Sequence, residues 1–221
     1  VFPLEEEMSK LMGMKIKVAN DANAAALGEF WMGSGSGCDS LVMVTLGTGV
    51  GGGVVMDGKI VSGHLGAAGE IGHIIIHPTE KEACNCGHHG CMEQYISAKG
   101  IARIGRKYLQ KSDQPSKLRK IPELSAKNIF ATAKAEDKLA LEIVDDVCEQ
   151  LGSSLAILAN VINPEAIVIG GGVSRAGDIL IQHSMTSFEN NVFHACRDTK
   201  IYLSKLGNDA GIYGCMRLVM E

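Results

Sequence analysis

Apolar side chains recur every three or four positions at Ile143, Val147, Leu151, Leu155, Leu158 and Ile162, which predicts a long amphipathic helix over 137–162, ended by Pro164. Shorter helical patterns cover 22–32, 93–110, 125–135 with Ser125 as cap, 178–194 and 210–220. Another, over 5–12, starts with the acidic turn Glu5, Glu6, Glu7. Strand patterns fall at 15–19, 41–46, 53–56, 59–61, 73–77, 166–169 and 200–204. Asp57-Gly58 is a type I′ hairpin signal, so 41–61 reads as an antiparallel meander. Residues 112–122 read as a basic surface linker, and no internal repeat appears. A meander followed by helix, strand, helix, strand and helix predicts an α/β fold with a mixed sheet and flanking helices.

Composition narrows the function. With 221 residues, 46% of them hydrophobic, the chain can bury a core of one domain or two small ones. A net charge of −4 and the lack of any basic block argue against a nucleic-acid partner. No apolar run reaches 18 residues and no secretory signal pattern stands at the start, so a cytoplasmic protein with no membrane partner is expected. Glycine is in excess, 27 residues, but 15 of them lie between Gly33 and Gly90, so they bend ordered backbone rather than make a linker.

Five groups of residues carry candidate chemistry. The run Gly47-Thr48-Gly49-Val50-Gly51-Gly52-Gly53 satisfies G-x-G-x-x-G but leads into a hairpin, so it does not open a helix as a dinucleotide fingerprint must. It reads either as a turn whose backbone N–H groups and Thr48 hydroxyl cradle phosphate, or as a bare tight hairpin. Cys84, Cys86 and Cys91 bring three thiolates within eight residues, and a tetrahedral zinc needs one more ligand from His73, His77, His88 or His89. Asp21 follows Asn20 at a strand-to-helix junction, where it is placed either to take a proton from a hydroxyl or to cap the helix. Glu70, His73 and Glu93 lie among glycine turns and the cysteine loop, a polar group suited to a hydroxyl-rich ligand. Gly170-Gly171-Gly172 follows a buried strand, either to admit a flat ligand closely or simply to turn the chain.

Taken together, the segments 20–26, 46–53, Gly69-Glu70-Ile71-Gly72-His73, the block from Cys84 to Glu93 and Gly170-Gly171-Gly172-Val173 resemble the ROK family of sugar kinases, notably bacterial glucokinases, and sugar-responsive repressors. The likeness covers nearly the whole chain, and the cysteine block joined to Gly-Glu-Ile-Gly-His is its most specific part. It implies an actin-like, ribonuclease H-like ATPase fold of two lobes. It implies phosphorylation of a hexose, glucose first, by ATP with Mg2+, with Asp21 as general base and Asn20, Asp21, Glu70, His73 and Glu93 on the sugar. Thr48 and Gly49 would face the phosphates and Gly171 and Gly172 the adenosine. His73, Cys84, Cys86 and Cys91 would hold a structural zinc, leaving His88 and His89 as bystanders.

Members of the family are commonly dimers or tetramers, so a homo-oligomer is expected. Kinases of the family begin with an Asp-x-Gly-Gly-Thr phosphate loop that is not found here. On that ground 1–25 and 208–221 are expected to be remnants of a small lobe and 26–207 the large lobe, in a piece that turns over poorly alone. The alternatives are a sugar-sensing repressor without its DNA-binding part, and a zinc-stabilised sugar-binding module with no chemistry.

Overall fold

In the computed structural model, which describes residues 2–220, one five-stranded mixed sheet is packed on both faces by helices. The strands are β1 (Ser40–Leu46), β2 (Val50–Met56), β3 (Lys59–Ile60), β4 (Ala166–Gly170) and β5 (Lys200–Leu203), in the order β3-β2-β1-β4-β5. β1 runs antiparallel to β2 in the register Leu46 to Val50, and parallel to β4, which is parallel to β5. Asp57 and Gly58 both adopt positive φ, as a type I′ turn requires.

The helices are α1 (Leu4–Met12), α2 (Asp21–Met32), α3 (Glu93–Ile96), α4 (Ala98–Lys111), α5 (Ala126–Lys134), α6 (Lys138–Ile162), α7 (Asp178–Asn191) and α8 (Ala210–Val219). Strand alternation sorts the core into two layers. Val42, Val44, Leu46, Ile167 and Ile169 point to the side of α6, where Ile143, Val147, Leu151 and Leu155 are buried. Leu41, Met43, Val55 and Val168 point the other way, to Ala26 of α2. Helix α8 packs on the outside of α2. No helix of the described residues is long and apolar enough to cross a membrane.

Five expected segments differ. Residues 15–19 form no strand, because their backbone donors are taken by α1: Ile16 N–H donates to Ser9 Oγ at 3.0 Å and Val18 N–H to Glu5 Oε1 at 2.9 Å. Residues 73–77 do not make a strand either. Ile71–His73 is a 3-10 turn, and Ile75 pairs only in an isolated bridge with Cys91. The helix expected over 93–110 breaks at Ser97, whose extended backbone and Oγ, accepting from Gly100 N–H at 3.0 Å, cap α4. The linker 112–122 contains a 3-10 turn, Lys117–Lys120, with Leu118 fully buried. Helix α7 stops at Asn191, three residues short of the expected end.

Candidate functional site

The site starts at the head of α2. Asn20, not Asp21, is the cap: its Oδ1 accepts from the N–H groups of Ala22 at 2.9 Å and Asn23 at 3.3 Å. Asp21 is thereby an exposed first-turn carboxylate whose Oδ1 accepts from Ala22 N–H at 2.8 Å. Helix α2 lies unusually close to β2 because the strand carries Gly51, Gly52 and Gly53. A Cβ on Gly53 would stand 2.7 Å from the Ala22 carbonyl oxygen, and one on Gly52 would stand 2.4 Å from that of Gly69. The glycine run is therefore mostly strand. Its last three residues seat α2 on one face and the loop bearing Glu70 and His73 on the other, and only 47–49 form the turn.

That loop leads into the metal cluster. Ligand atoms of His73, Cys84, Cys86 and Cys91 all lie within 4.8 Å of one another. His73 Nδ1 stands 3.9 Å from Cys84 Sγ, and Cys86 Sγ 3.6 Å from Cys91 Sγ. Three thiols and one imidazole at this separation suit a tetrahedral soft-metal site of the zinc type. The backbone N–H of His88 draws the Cys86 thiol down from its ordinary value, while burial pushes Cys84 up. The imidazole of His88 reaches only Cys86, at 3.6 Å, and His77 turns away to Gln150 Oε1 at 2.6 Å.

Glu93, on the first turn of α3, joins the metal cluster to the turn after β1. Its Oε1 accepts from Cys84 Sγ at 3.0 Å, and its Oε2 is so near Gly49 that a Cβ there would come within 2.7 Å. The turn is held further by Gly47, whose carbonyl accepts from Ala98 N–H at 2.8 Å at the start of α4. Thr48 is exposed at the tip.

Beyond the tip opens a cleft of about 860 Å³, which Thr48 and Gly172 share. Gly171 does not line it. It takes a left-handed φ of +83° and packs where a Cβ would meet the Leu46 carbonyl oxygen at 2.5 Å, so it turns the chain and leaves Gly172 open to the cleft. One wall is apolar, with Leu124, Phe130 and Val173; Lys99, Arg106, Lys127, Lys134 and Arg175 stand at its rim against one acid, Glu123. All five cations are exposed, and among the described residues none forms an ion pair. A rim so basic on a chain of net charge −4 favours a polyanionic ligand.

Sequence reasoning missed these cations, because they come from α4, α5 and the turn after β4 and meet only in the fold. It also missed Glu29, a fully buried carboxylate in α2. Glu29 accepts from Ser34 N–H at 2.8 Å, Ser204 Oγ at 2.6 Å and Leu206 N–H at 2.8 Å, and so ties the end of α2 to the loop after β5. The only sequence signal was a lone acid inside an otherwise apolar helix, Ala-Leu-Gly-Glu-Phe-Trp.

Comparison with known proteins fits this geometry. Glucokinase of Halalkalibacterium halodurans is 45% identical over 224 residues, a match covering 100% of this chain and 68% of that protein. The crystal structure of a ROK family glucokinase from Streptomyces griseus, in complex with glucose and AMPPNP, superposes with a TM-score of 0.84 at 31% identity, over 98% of this chain and 72% of that one. A ROK family transcriptional regulator, a homolog of the E. coli MLC protein, superposes with a TM-score of 0.87 at 32% identity, over 98% of this chain and 55% of that one. The mixed sheet with its flanking helices is the actin-like ATPase architecture expected from the sequence. With the ROK family model matching residues 1–221 throughout, the chain belongs to the ROK family.

Proposed function

We propose that the chain serves ATP-dependent phosphorylation of a hexose at its 6-hydroxyl, with glucose as the sugar. The observation that carries this reading is the position of Glu93, one carboxylate oxygen on the metal cluster and the other against the glycine turn, so that sugar-type polar groups and a phosphate-type turn share a boundary. The basic rim of the adjoining cleft supports a nucleotide on the far side of that boundary.

In this reading Asn20, Glu70, His73 and Glu93 hold sugar hydroxyls. Asp21 takes the proton of the 6-hydroxyl as its oxygen bonds to the γ-phosphorus and the bond from that phosphorus to the ADP oxygen breaks. Thr48 and Gly49 face the phosphates of ATP, which carries Mg2+, and Gly172, exposed by the turn at Gly171, faces the adenosine against Leu124, Phe130 and Val173. His73, Cys84, Cys86 and Cys91 would hold zinc, which when bound supplies a fixed tetrahedral cross-link for the loop. Segments 1–25 and 208–221 belong to a smaller lobe and 26–207 to a larger one, and the protein is cytoplasmic and self-associating.

A sugar-sensing regulator is the second reading, favoured by the superposition on the transcriptional regulator. Isothermal titration with glucose and with a non-hydrolysable ATP analogue separates the two, followed by an assay of glucose-dependent ADP release. Binding of both ligands, with ADP release that disappears in Asp21→Asn, is the kinase result. Binding of sugar with no binding of the nucleotide would replace it by the regulator.

A further inference from the structure

The cysteine loop has almost no regular structure of its own. Between the 3-10 turn and α3 its backbone pairs only in two isolated bridges, Ile75 with Cys91 and Ala83 with His89. A metal held by residues 73, 84, 86 and 91 would tie those positions to each other, and His77 is tied to Gln150 of α6 at 2.6 Å, yet 78–83 would be left to swing away from the helices.

Side chains outside the site supply the missing ties. Gln94, in the first turn of α3, accepts through Oε1 from Gly90 N–H at 2.8 Å and Cys91 N–H at 3.1 Å, and donates through Nε2 to the Glu82 carbonyl at 2.9 Å. One amide thus clips both legs of the loop, directly beside Glu93. Arg103 of α4 reaches the same place with three donors' worth of geometry: Nη1 donates to Glu80 at 2.9 Å and Glu82 at 2.7 Å, and Nη2 to the Gln94 carbonyl at 3.0 Å. Its guanidinium lies 5.1 Å over the Tyr95 ring, whose hydroxyl donates to Glu80 at 2.8 Å. The Arg103 and Glu80 side chains are only 16% and 10% exposed, so their pairing is screened far less than that of a rim salt bridge.

We propose that Arg103 and Gln94 are positioning residues, a fastener outside the site that fixes the cysteine loop to α3 and α4 and so holds Glu93 and the metal-site sulfurs in register with the 47–49 turn. Arginine suits this role because its planar fork spreads its donors over two nitrogens, so that Nη1 reaches the loop carboxylates while Nη2 reaches the Gln94 carbonyl, whereas the three donors of an ammonium share one nitrogen. The proposal rests on the kinase reading only in its last link, the effect on sugar; the order of the loop is a separate quantity.

The test uses the zinc-loaded 221-residue chain and the variants Arg103→Met, Arg103→Lys and Gln94→Met. Amide exchange over 80–91, zinc affinity by chelator competition and glucose Kd by titration are measured. Arg103→Met and Gln94→Met are each expected to speed exchange in the loop while β1 and β4 stay protected, to weaken zinc about 10–100-fold, as loss of a partner behind the ligands does, and to weaken glucose in step. Arg103→Lys should recover part of every effect. Should Arg103→Met fail to fold, Gln94→Met decides alone. Unchanged loop exchange and zinc affinity in a folded variant would overturn the fastener, and so would a loosened loop that binds glucose as well as the unaltered chain. If the unaltered chain itself binds no glucose while the loop still loosens and sheds zinc in the variants, the fastener stands and the sugar reading falls.

Discussion

The two halves of the candidate site are built by opposite means. On the cysteine side, Glu93, the metal cluster and the loop are held by short, partly buried hydrogen bonds that run through Gln94, Arg103 and Glu80. On the cleft side, five exposed cations stand around an apolar wall and form no ion pair with any of the described residues. The first arrangement fixes positions and suits a ligand that must be told apart by hydroxyl geometry. The second fixes charge rather than position, and suits a ligand whose phosphates are attracted wherever they sit. Substitutions should therefore behave differently on the two sides: few and large on the first, many and small on the second.

The largest effect is expected at the proposed base. Asp21→Asn keeps the shape and the Ala22 N–H contact but removes the proton acceptor, so glucose-dependent ADP release should fall by about 10²–10⁴-fold. Glucose Kd should move little, and an equal loss in binding and turnover would show that Asp21 holds the sugar rather than its proton. Next comes the metal cluster. Cys86→Ser removes one of the four grouped ligands, so zinc content should drop, and glucose affinity should fall on the order of 10-fold with it. Full zinc content by atomic absorption in this variant would refute the ligand set.

How much of this was legible in the sequence depended on whether a residue's role is local. The α6 face at 143, 147, 151 and 155, the Asp57-Gly58 turn and the grouping of Cys84, Cys86 and Cys91 all follow from spacing, because helix period, turn geometry and a short loop are local, whereas His73 as their fourth partner was implied only by the family resemblance. The segment 15–19 misled because alternation says nothing about partners, and its donors bond to Ser9 and Glu5 instead of a neighbouring strand. Gly51 to Gly53 read as part of a phosphate turn, although the reason for glycine there is the approach of Ala22 and Gly69 from distant segments. The same holds for Arg103 and Glu80, 23 residues apart in the chain, whose pairing is fixed only once the loop meets α4.

Acid should separate the two halves. Burial acts to raise the Glu80 pKa, but the Glu82 backbone N–H, the Tyr95 hydroxyl and the Arg103 guanidinium outweigh it and hold the carboxyl down to about 2, from an ordinary 4.5. A carboxylate depressed on folding contributes stability that is complete above about 4.5 and is lost as the pH falls through about 2. Exchange protection of 80–91 should thus decline across that window. In Glu80→Gln the decline should flatten, and at neutral pH the loop should be weaker by on the order of 1 kcal/mol. A decline of unchanged slope in Glu80→Gln would assign the acid sensitivity to another group.

The smallest effects belong to the rim of the cleft. Each of Lys99, Arg106, Lys127, Lys134 and Arg175 is exposed, so each contact to a phosphate is worth about 0.2–1 kcal/mol, as for exposed pairs generally. Lys134→Ala or Arg175→Ala should then weaken an ATP analogue only about 1.5- to 5-fold and leave glucose untouched. What distinguishes these groups from the buried fastener is their answer to salt. At 0.15 M ionic strength the screening length is about 8 Å and at 1 M about 3 Å, so nucleotide affinity should fall steadily over that range while glucose affinity stays level. The double variant Lys134→Ala with Arg175→Ala should bind the nucleotide more weakly at low salt and show a shallower salt dependence, the two curves converging at high salt. Parallel curves would mean that the cations act through contact geometry, and the contrast between a charged side and a positioned side would then fail at the cleft.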